Sequence, residues 1–320
     1  MAFDLQVFNK QTYLTITETV ANEVNKFNEA SQGTIVLQNA PVSGDFDITA
    51  SFKAISGLVR RRNVYSNAAV ESKRLQQLLN ASVKVAAGTP PIDYEPAQYQ
   101  WVLQNPELAA LKIGEQLAKA RVADMLDTGI RGAVAALSGN AAVSTGDGTE
   151  DPSFRLLNKA SFKFGDRSSA ILAWVLHSST LSKLYDNALA NTERLFSYDG
   201  VNVLRDPFGR LFVVTDSEAL VVPGAANADP KFRTLGLVGN GVVVSGNDDF
   251  NSVIVPKVGT ENIGATYQAE WSYNLGIAGY TWDMANGGKS PTNTAIGTGS
   301  NWDQTATSHK DTAGVILTTK

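Results

Sequence analysis

Two histidines and no cysteine make up this chain's stock of neutral-pH proton shuttles and thiolates. His177 and His309 lie far apart in sequence, so Ser-His-Asp and Cys-His arrangements have almost no raw material. Disulfides and thiolate zinc sites are excluded outright. His177 follows an apolar run and precedes a helix-capping serine, which favours a structural role, while His309 sits beside Lys310 and Asp311 and reads as surface or interface. Gly287-Gly288-Lys289-Ser290 has the ending of a phosphate-binding loop. The glycine required five positions before Gly288 is replaced by Asp283, however, and Pro291 blocks the helix that should follow, so a tight turn is the better reading. Asp124 and Asp127 lie three apart on a helical pattern and share a face, as a glycosidase-like acid pair does; a solvated helical edge is favoured. Gly246-Asn247-Asp248-Asp249 and Asp147-Gly148-Thr149-Glu150-Asp151 do not fit a calcium loop and read as solvated turns. Arg60-Arg61-Arg62 is the one dense charge cluster. It lacks the interleaved aromatics of a nucleic-acid site, which leaves a solvated run or contact with an acidic patch on a neighbouring subunit. No catalytic, cofactor-binding or metal-ligating set emerges, and the expectation is a protein that is not an enzyme and carries no cofactor.

The elements that must position these residues divide the chain unevenly. Tyr13, Ile16, Val20, Val24 and Phe27 recur at helical spacing, with Gly33 placed to stop the helix. Thr34 to Leu37 and the alternating Phe46, Ile48, Ala50 and Phe52 predict strands. From Phe52 to Trp101 regularity is lost: a short helix-like stretch covers Ala68 to Leu79, Ser82 to Ala86 alternates, and Thr89-Pro90-Pro91 and Pro96 break the chain. Such a segment cannot bury a core of its own and predicts an extended two-stranded excursion that needs a neighbour.

The strongest helix signal follows, with Asn105 as N-cap, Pro106 at the first helical position and Glu107 in the first turn. Its apolar positions run on to Leu137, a length of ~50 Å at 1.5 Å per residue. Gly114, Gly129 and Gly132 weaken this helix locally and permit close packing or a bend. Residues 141–150 form a loop, and Asp151-Pro152 begins another helix that ends near Gly165. Beyond it, Ile171 to Leu176 predicts a buried strand, Ser178 or Ser179 caps a helix, and strands are predicted at Val201–Leu204, Leu211–Val214, Leu220–Val222, Val242–Val244, Val253–Val255 and Tyr267–Tyr273, with a turn at Asp206-Pro207-Phe208-Gly209.

The 320 residues suffice for two compact units with sizeable cores. With 43% hydrophobic and 18% charged residues the chain is globular rather than disordered. A net charge of −4 leaves no global basic field for nucleic acid or anionic membrane. The N-terminus lacks the layout of a signal peptide, and the longest apolar run, Ala170 to Leu176, is far too short to span a membrane, so assembly in a cytoplasm is the expectation.

The C-terminal stretch carries the sharpest pattern: Gly279-Tyr280-Thr281-Trp282, Gly288-Lys289-Ser290-Pro291-Thr292, Asn301-Trp302, and Lys310 leading into Gly314-Val315-Ile316-Leu317. Upstream stand Trp174-Val175-Leu176-His177-Ser178 and Gly209-Arg210-Leu211-Phe212-Val213-Val214-Thr215-Asp216, the latter with Phe212 where the pattern has its first valine. In this order the motifs resemble the tailed-phage major capsid fold, also used by encapsulins and the herpesvirus shell floor, over roughly residues 45–320. The resemblance implies an α+β chain built of an N-terminal arm (1–45), an extended loop (46–101), a peripheral domain with a long spine helix (102–164), an α/β axial domain (165–267) and return strands of the peripheral domain (268–320). It implies a major capsid protein that assembles with itself, as hexamers and pentamers, into the icosahedral head shell around a double-stranded DNA genome, without sequence-specific DNA contacts and with no membrane. A separate scaffolding protein, a portal and a decoration protein are the further partners it implies, and its place is the virion, after assembly in the host cytoplasm. Arg60, Arg61, Arg62, Lys73, Arg74, Trp282 and Trp302 are the expected subunit-contact residues. An encapsulin-type compartment is the nearest alternative, separated by packaged nucleic acid versus an enzyme cargo. A tail or adhesin-like structural protein comes next, against which the alanine-rich helix argues, and a carbohydrate-active enzyme third.

Overall fold

A helix of 29 residues, α1 (Ala2–Ala30), opens the computed structural model, which describes residues 2–42, 44–52, 61–70, 77–185, 193–198, 201–205, 211–224, 229–259 and 261–320. Phe8, Thr12, Ile16, Val24 and Phe27 form its buried stripe. Tyr13, expected on that stripe, is 42% exposed and instead leans against the ring of Phe250, because the four-residue spacing from Phe8 to Thr12 to Ile16 sets the buried line one position away. The helix stops where expected: Gln32 and Gly33 take positive φ, and the Gly33 N–H bonds the Asn28 carbonyl at 3.0 Å.

Next come β1 (Ile35–Asn39), β2 (Phe46–Phe52), β3 (Gln77–Gly88), β4 (Ile92–Tyr94), α2 (Pro96–Gln104), α3 (Pro106–Ser138), β5 (Ser144–Thr145) and α4 (Phe154–Ser161). Two expectations fail here. The helix predicted over Ala68 to Leu79 is absent from 68–70 and from 77–79, where the chain is already in β3. Cross-strand pairing of Leu79 with Ala50, continuing the alternation that buries Ala81, Val83 and Val85, overrides the local helical spacing. Pro96, read as a break, occupies the first position of α2, where its missing N–H costs nothing; Glu95 and Gln98 form a reciprocal capping box.

α3 spans the 33 residues predicted for it. Asn105 stands at its N-cap position, but its side-chain amide bonds back to the Trp101 carbonyl, so Pro106 and Glu107 carry the start. The three helix glycines serve close packing. A Cβ on Gly114 would lie 3.0 Å from Thr15 of α1, one on Gly129 3.2 Å from Val242 and Val244, and one on Gly132 2.9 Å from Leu275.

The second half supplies β6 (Ile171–Leu176), α5 (Ser178–Tyr185), β7 (Glu193–Tyr198), β8 (Val201–Arg205), β9 (Leu211–Val214), β10 (Val221–Val222), β11 (Lys231–Val238), β12 (Val242–Gly246), β13 (Asn251–Lys257), β14 (Gly264–Ile277), β15 (Tyr280–Trp282), α6 (Asn293–Ile296), β16 (Trp302–Gln304) and β17 (Gly314–Thr319). The predicted turn at 206–209 lies outside the described residues.

The strands form two sheets and a small ribbon. One sheet runs β1-β12-β14-β3-β2, with β13 and β4 also paired to the long β14. The other runs β5-β17-β11-β6-β9-β8-β7, with β10 added to β11, and β15 pairs β16. Membership does not follow chain order: β12 and β13 join the first sheet, and the closing strand β17 pairs with β11 and β5 rather than returning beside β14. The segment 268–320, expected as one set of return strands, is therefore divided between the sheets. α3 is the shared wall, with α1, β12 and β14 packed on it as well as the turn at Glu218–Leu220 that precedes β10.

Candidate assembly surfaces

Residues 61–70, between β2 and β3, contain neither helix nor strand and are exposed throughout. Arg61 and Arg62 stand there beside Val64 and Val70, and the Tyr65 side chain is 99% exposed. Arg60, Lys73 and Arg74 lie outside the described residues. The ends of this excursion are joined in register, since Phe52 pairs with Gln77. A phenol and two aliphatic side chains held in water beside guanidinium groups form a surface whose burial against a partner is favourable, at roughly 25 cal/mol per Å² of apolar area.

Sequence reasoning missed two further apolar surfaces. Val253, Val255, Val258 and Ile263 are exposed along and beyond β13, and Trp101, Leu108 and Leu111 are exposed where α2 meets α3. The alternation of Val253 and Val255 announced a strand, but which face stays wet depends on α1, which packs against β13 and leaves Ile254 buried between the two exposed valines.

Trp282 and Trp302, expected at subunit contacts, are 1% and 5% exposed and belong to the interior. Their rings meet edge to face with centroids 5.0 Å apart. Each indole N–H has a carbonyl acceptor at 3.0 Å, that of Gly288 for Trp282 and that of Ile296 for Trp302. Antiparallel pairing of β15 with β16 sets the two residues opposite each other, so their role is packing and the contact reading is corrected. The phosphate-loop-like stretch serves the same cluster: a Cβ on Gly287 would meet the Trp282 ring at 2.2 Å, and Gly288 takes a φ of 75°. Lys289 points to Asp45 at 3.6 Å.

Asp124 and Asp127 are not a solvated edge. Asp124 accepts a 2.7 Å hydrogen bond from the Tyr273 hydroxyl, which also meets Thr128 at 2.8 Å. Burial pushes the Asp124 carboxyl above its ordinary pKa, the Tyr273 bond opposing it, and the neighbouring Asp127 adds to the rise. Burial likewise pushes the Tyr273 phenol up. Asp127 accepts from Arg131 at 3.0 Å and from the Ser217 hydroxyl, tying α3 to the turn before β10. The pH consequence follows from the sign of the Asp124 shift. A carboxyl whose folded pKa exceeds its unfolded value contributes more stability as pH falls through the folded pKa toward the ordinary value of 3.8. Asp124→Asn is therefore expected to be best tolerated, relative to the parent, at pH 7, and to lose ground as pH drops toward 4. Urea unfolding of both proteins across that range checks it; a variant that keeps pace with the parent, or gains on it, as pH falls would contradict the assignment.

The Gly246–Asp249 corner is likewise structural rather than a solvated turn. Asn247 is buried, donates to Ser272 at 2.8 Å and accepts from the Val42 N–H at 2.9 Å. Asp249 accepts from the Ser272 N–H at 2.9 Å and faces Lys84 at 3.3 Å. The histidines are structural too: His177 Nδ1 accepts from the Ser179 N–H at 3.1 Å at the start of α5, with its ring on Phe232, and His309 Nε2 lies 3.2 Å from the Lys163 carbonyl. Among the described residues no three or more His, Cys, Asp or Glu side chains converge on a metal-sized site, and no helix is long and apolar enough to cross a membrane.

A family model described as Gp13-like, major capsid protein 13-like, matches residues 4–316. No curated protein matches the sequence. Among solved structures, the capsid of Ralstonia phage GP4 superposes with a TM-score of 0.51 at 9% identity, over 89% of this chain and 87% of that one, which shows the fold. The Cyanophage Pam1 capsid asymmetric unit matches at 10% identity and a TM-score of 0.49, over 91% of this chain and 87% of that chain. The acidic stable capsid of Helicobacter pylori bacteriophage KHP30 matches at 14% identity and a TM-score of 0.49, over 92% and 89%.

Proposed function

The chain belongs to the Gp13-like major capsid protein family and is a shell-forming major capsid protein, and we propose that it closes as hexamers and pentamers into an icosahedral head enclosing double-stranded DNA. The observation that carries the finer reading is the excursion at 61–70. It exposes Tyr65, Val64 and Val70 beside Arg61 and Arg62, with no cover from the described residues. Weak contacts of this kind become stable collectively when every subunit makes them with several neighbours. The extended loop, with its arginines on an acidic patch of the adjacent subunit, is the contact, α3 is the spine, and the second sheet is the axial unit around which subunits gather. A net charge of −4 suits a wall that holds DNA without gripping it, so the genome contacts carry no sequence preference. A scaffolding protein and a portal set shell size and the DNA entry point, a decoration protein covers the outer face, and assembly runs in the host cytoplasm. The role needs no catalytic residue.

Arg61→Glu tests the contact. The variant is expected to keep the parent's circular dichroism and unfolding midpoint while particle yield drops by at least about tenfold, the effect of roughly 1.4 kcal/mol lost at each contact. Normal particle yield would remove Arg61 from the interface.

A further inference from the structure

α1 does not seal completely against α3. A cleft of about 90 Å³ remains between them, floored by the end of β1 and the 246–250 corner. That exceeds the roughly 10–15 Å³ one water needs on this measure. Arg121 of α3 lines it and is 8% exposed. Its Nε is buried with no acceptor, and the guanidinium makes no hydrogen bond or ion pair among the described residues. Asp249 and Asp248 act on its charge through space, but neither bonds it: Asp249 is bonded to Ser272 and paired with Lys84, and Asp248 accepts from the Asn39 amide at 2.7 Å. A guanidinium stays charged in proteins, and a buried charge without hydrogen bonds is held at a substantial cost that a correctly placed acceptor relieves.

The rest of the lining is largely apolar, with Val20 and Val24 from α1, Met125 from the next turn of α3 and Phe250 from the corner. We infer that this cleft binds a carboxylate carried on a short aliphatic stem, with Arg121 meeting both carboxylate oxygens and the apolar wall enclosing the stem. The planar fork of a guanidinium fits a carboxylate bidentately. A monoanion suits the site better than phosphate or sulfate, because Asp248 also faces the cleft and repels a second negative charge. The chemistry is that of an Asp or Glu side chain from a second copy and equally that of a free short-chain acid. The binding site itself does not depend on the shell reading; only the choice between those sources does.

Thermal melting of the full chain in sodium butyrate, against sodium chloride at equal ionic strength, tests the inference. The parent is expected to show a saturable rise in Tm, roughly 4 °C at a hundredfold excess over Kd. Arg121→Met, which removes the charge and keeps the bulk, should melt at least as high as the parent in chloride and show no butyrate response. Arg121→Lys folds with a charge in place but lacks the fork, so its response should need at least about tenfold more butyrate. A parent Tm that follows chloride, or equal responses in all three proteins, would overturn the site and leave a cleft filled by water. Where the rise is seen, butyrate that also slows particle formation assigns the natural occupant to a second copy. Unchanged particle formation assigns it to a free acid.

Discussion

Trp302→Ala is expected to be the most damaging single substitution in this chain, costing about 3–5 kcal/mol, the range for emptying a buried aromatic site. The indole closes against Trp282, bonds the Ile296 carbonyl, and packs where Gly132 of α3 leaves room for it, with a virtual Cβ there only 3.3 Å from the ring. Truncation therefore loosens the ribbon, the C-terminal turn and the spine helix together. Native stability of a domain is commonly about 5–15 kcal/mol, so this loss removes much of the margin. The expected observation is a large fall in the urea midpoint with the slope retained, and little soluble protein at 37 °C. Trp302→Phe keeps most of the ring and should recover over half of the lost midpoint. An alanine variant that unfolds like the parent would return this tryptophan to the surface role its motif suggested.

The second large effect concerns the loop. Replacing residues 53–76 with an Asn-Gly turn is expected to leave a folded, monodisperse subunit that forms no closed shells. Phe52 and Gln77 are already paired across β2 and β3, so a two-residue turn joins them without moving the sheet. A wider deletion, from 56 to 95, is a poor test. It removes β3, whose Ala81, Val83 and Val85 are buried and whose backbone pairs β14 as well as β2, so it opens the first sheet and the subunit unfolds. Circular dichroism and gel filtration report folding, and sedimentation reports particles. Intact shells from the short replacement would sink the extended-loop assignment.

What the sequence disclosed follows the range of the interactions concerned. α3 was legible because its start signals, Asn105-Pro106-Glu107, and its apolar spacing are all local, and the buried strand at 171–176 was legible for the same reason. β3 was half hidden because residues 77–79 are extended only through pairing with β2. The placement of β17 was not legible, since Gly314 to Thr319 choose β11 through contacts some eighty residues away in the chain. Asp124 looked solvated because Tyr273, which covers and bonds it, sits 149 positions later. The tryptophans were assigned to a partner contact, because burial within one chain and burial between chains leave the same mark on sequence. Arg121 gave no signal at all: an arginine on an alanine-rich helix ordinarily reaches water with its charged end.

Whether this chain closes on itself into a shell is read out by negative-stain electron microscopy of the purified protein. Hollow, closed particles of uniform size are expected, with the loop-replaced variant alongside showing only dispersed subunits. Dispersed subunits or shapeless aggregates from the parent protein, under conditions where it is folded, would contradict shell closure.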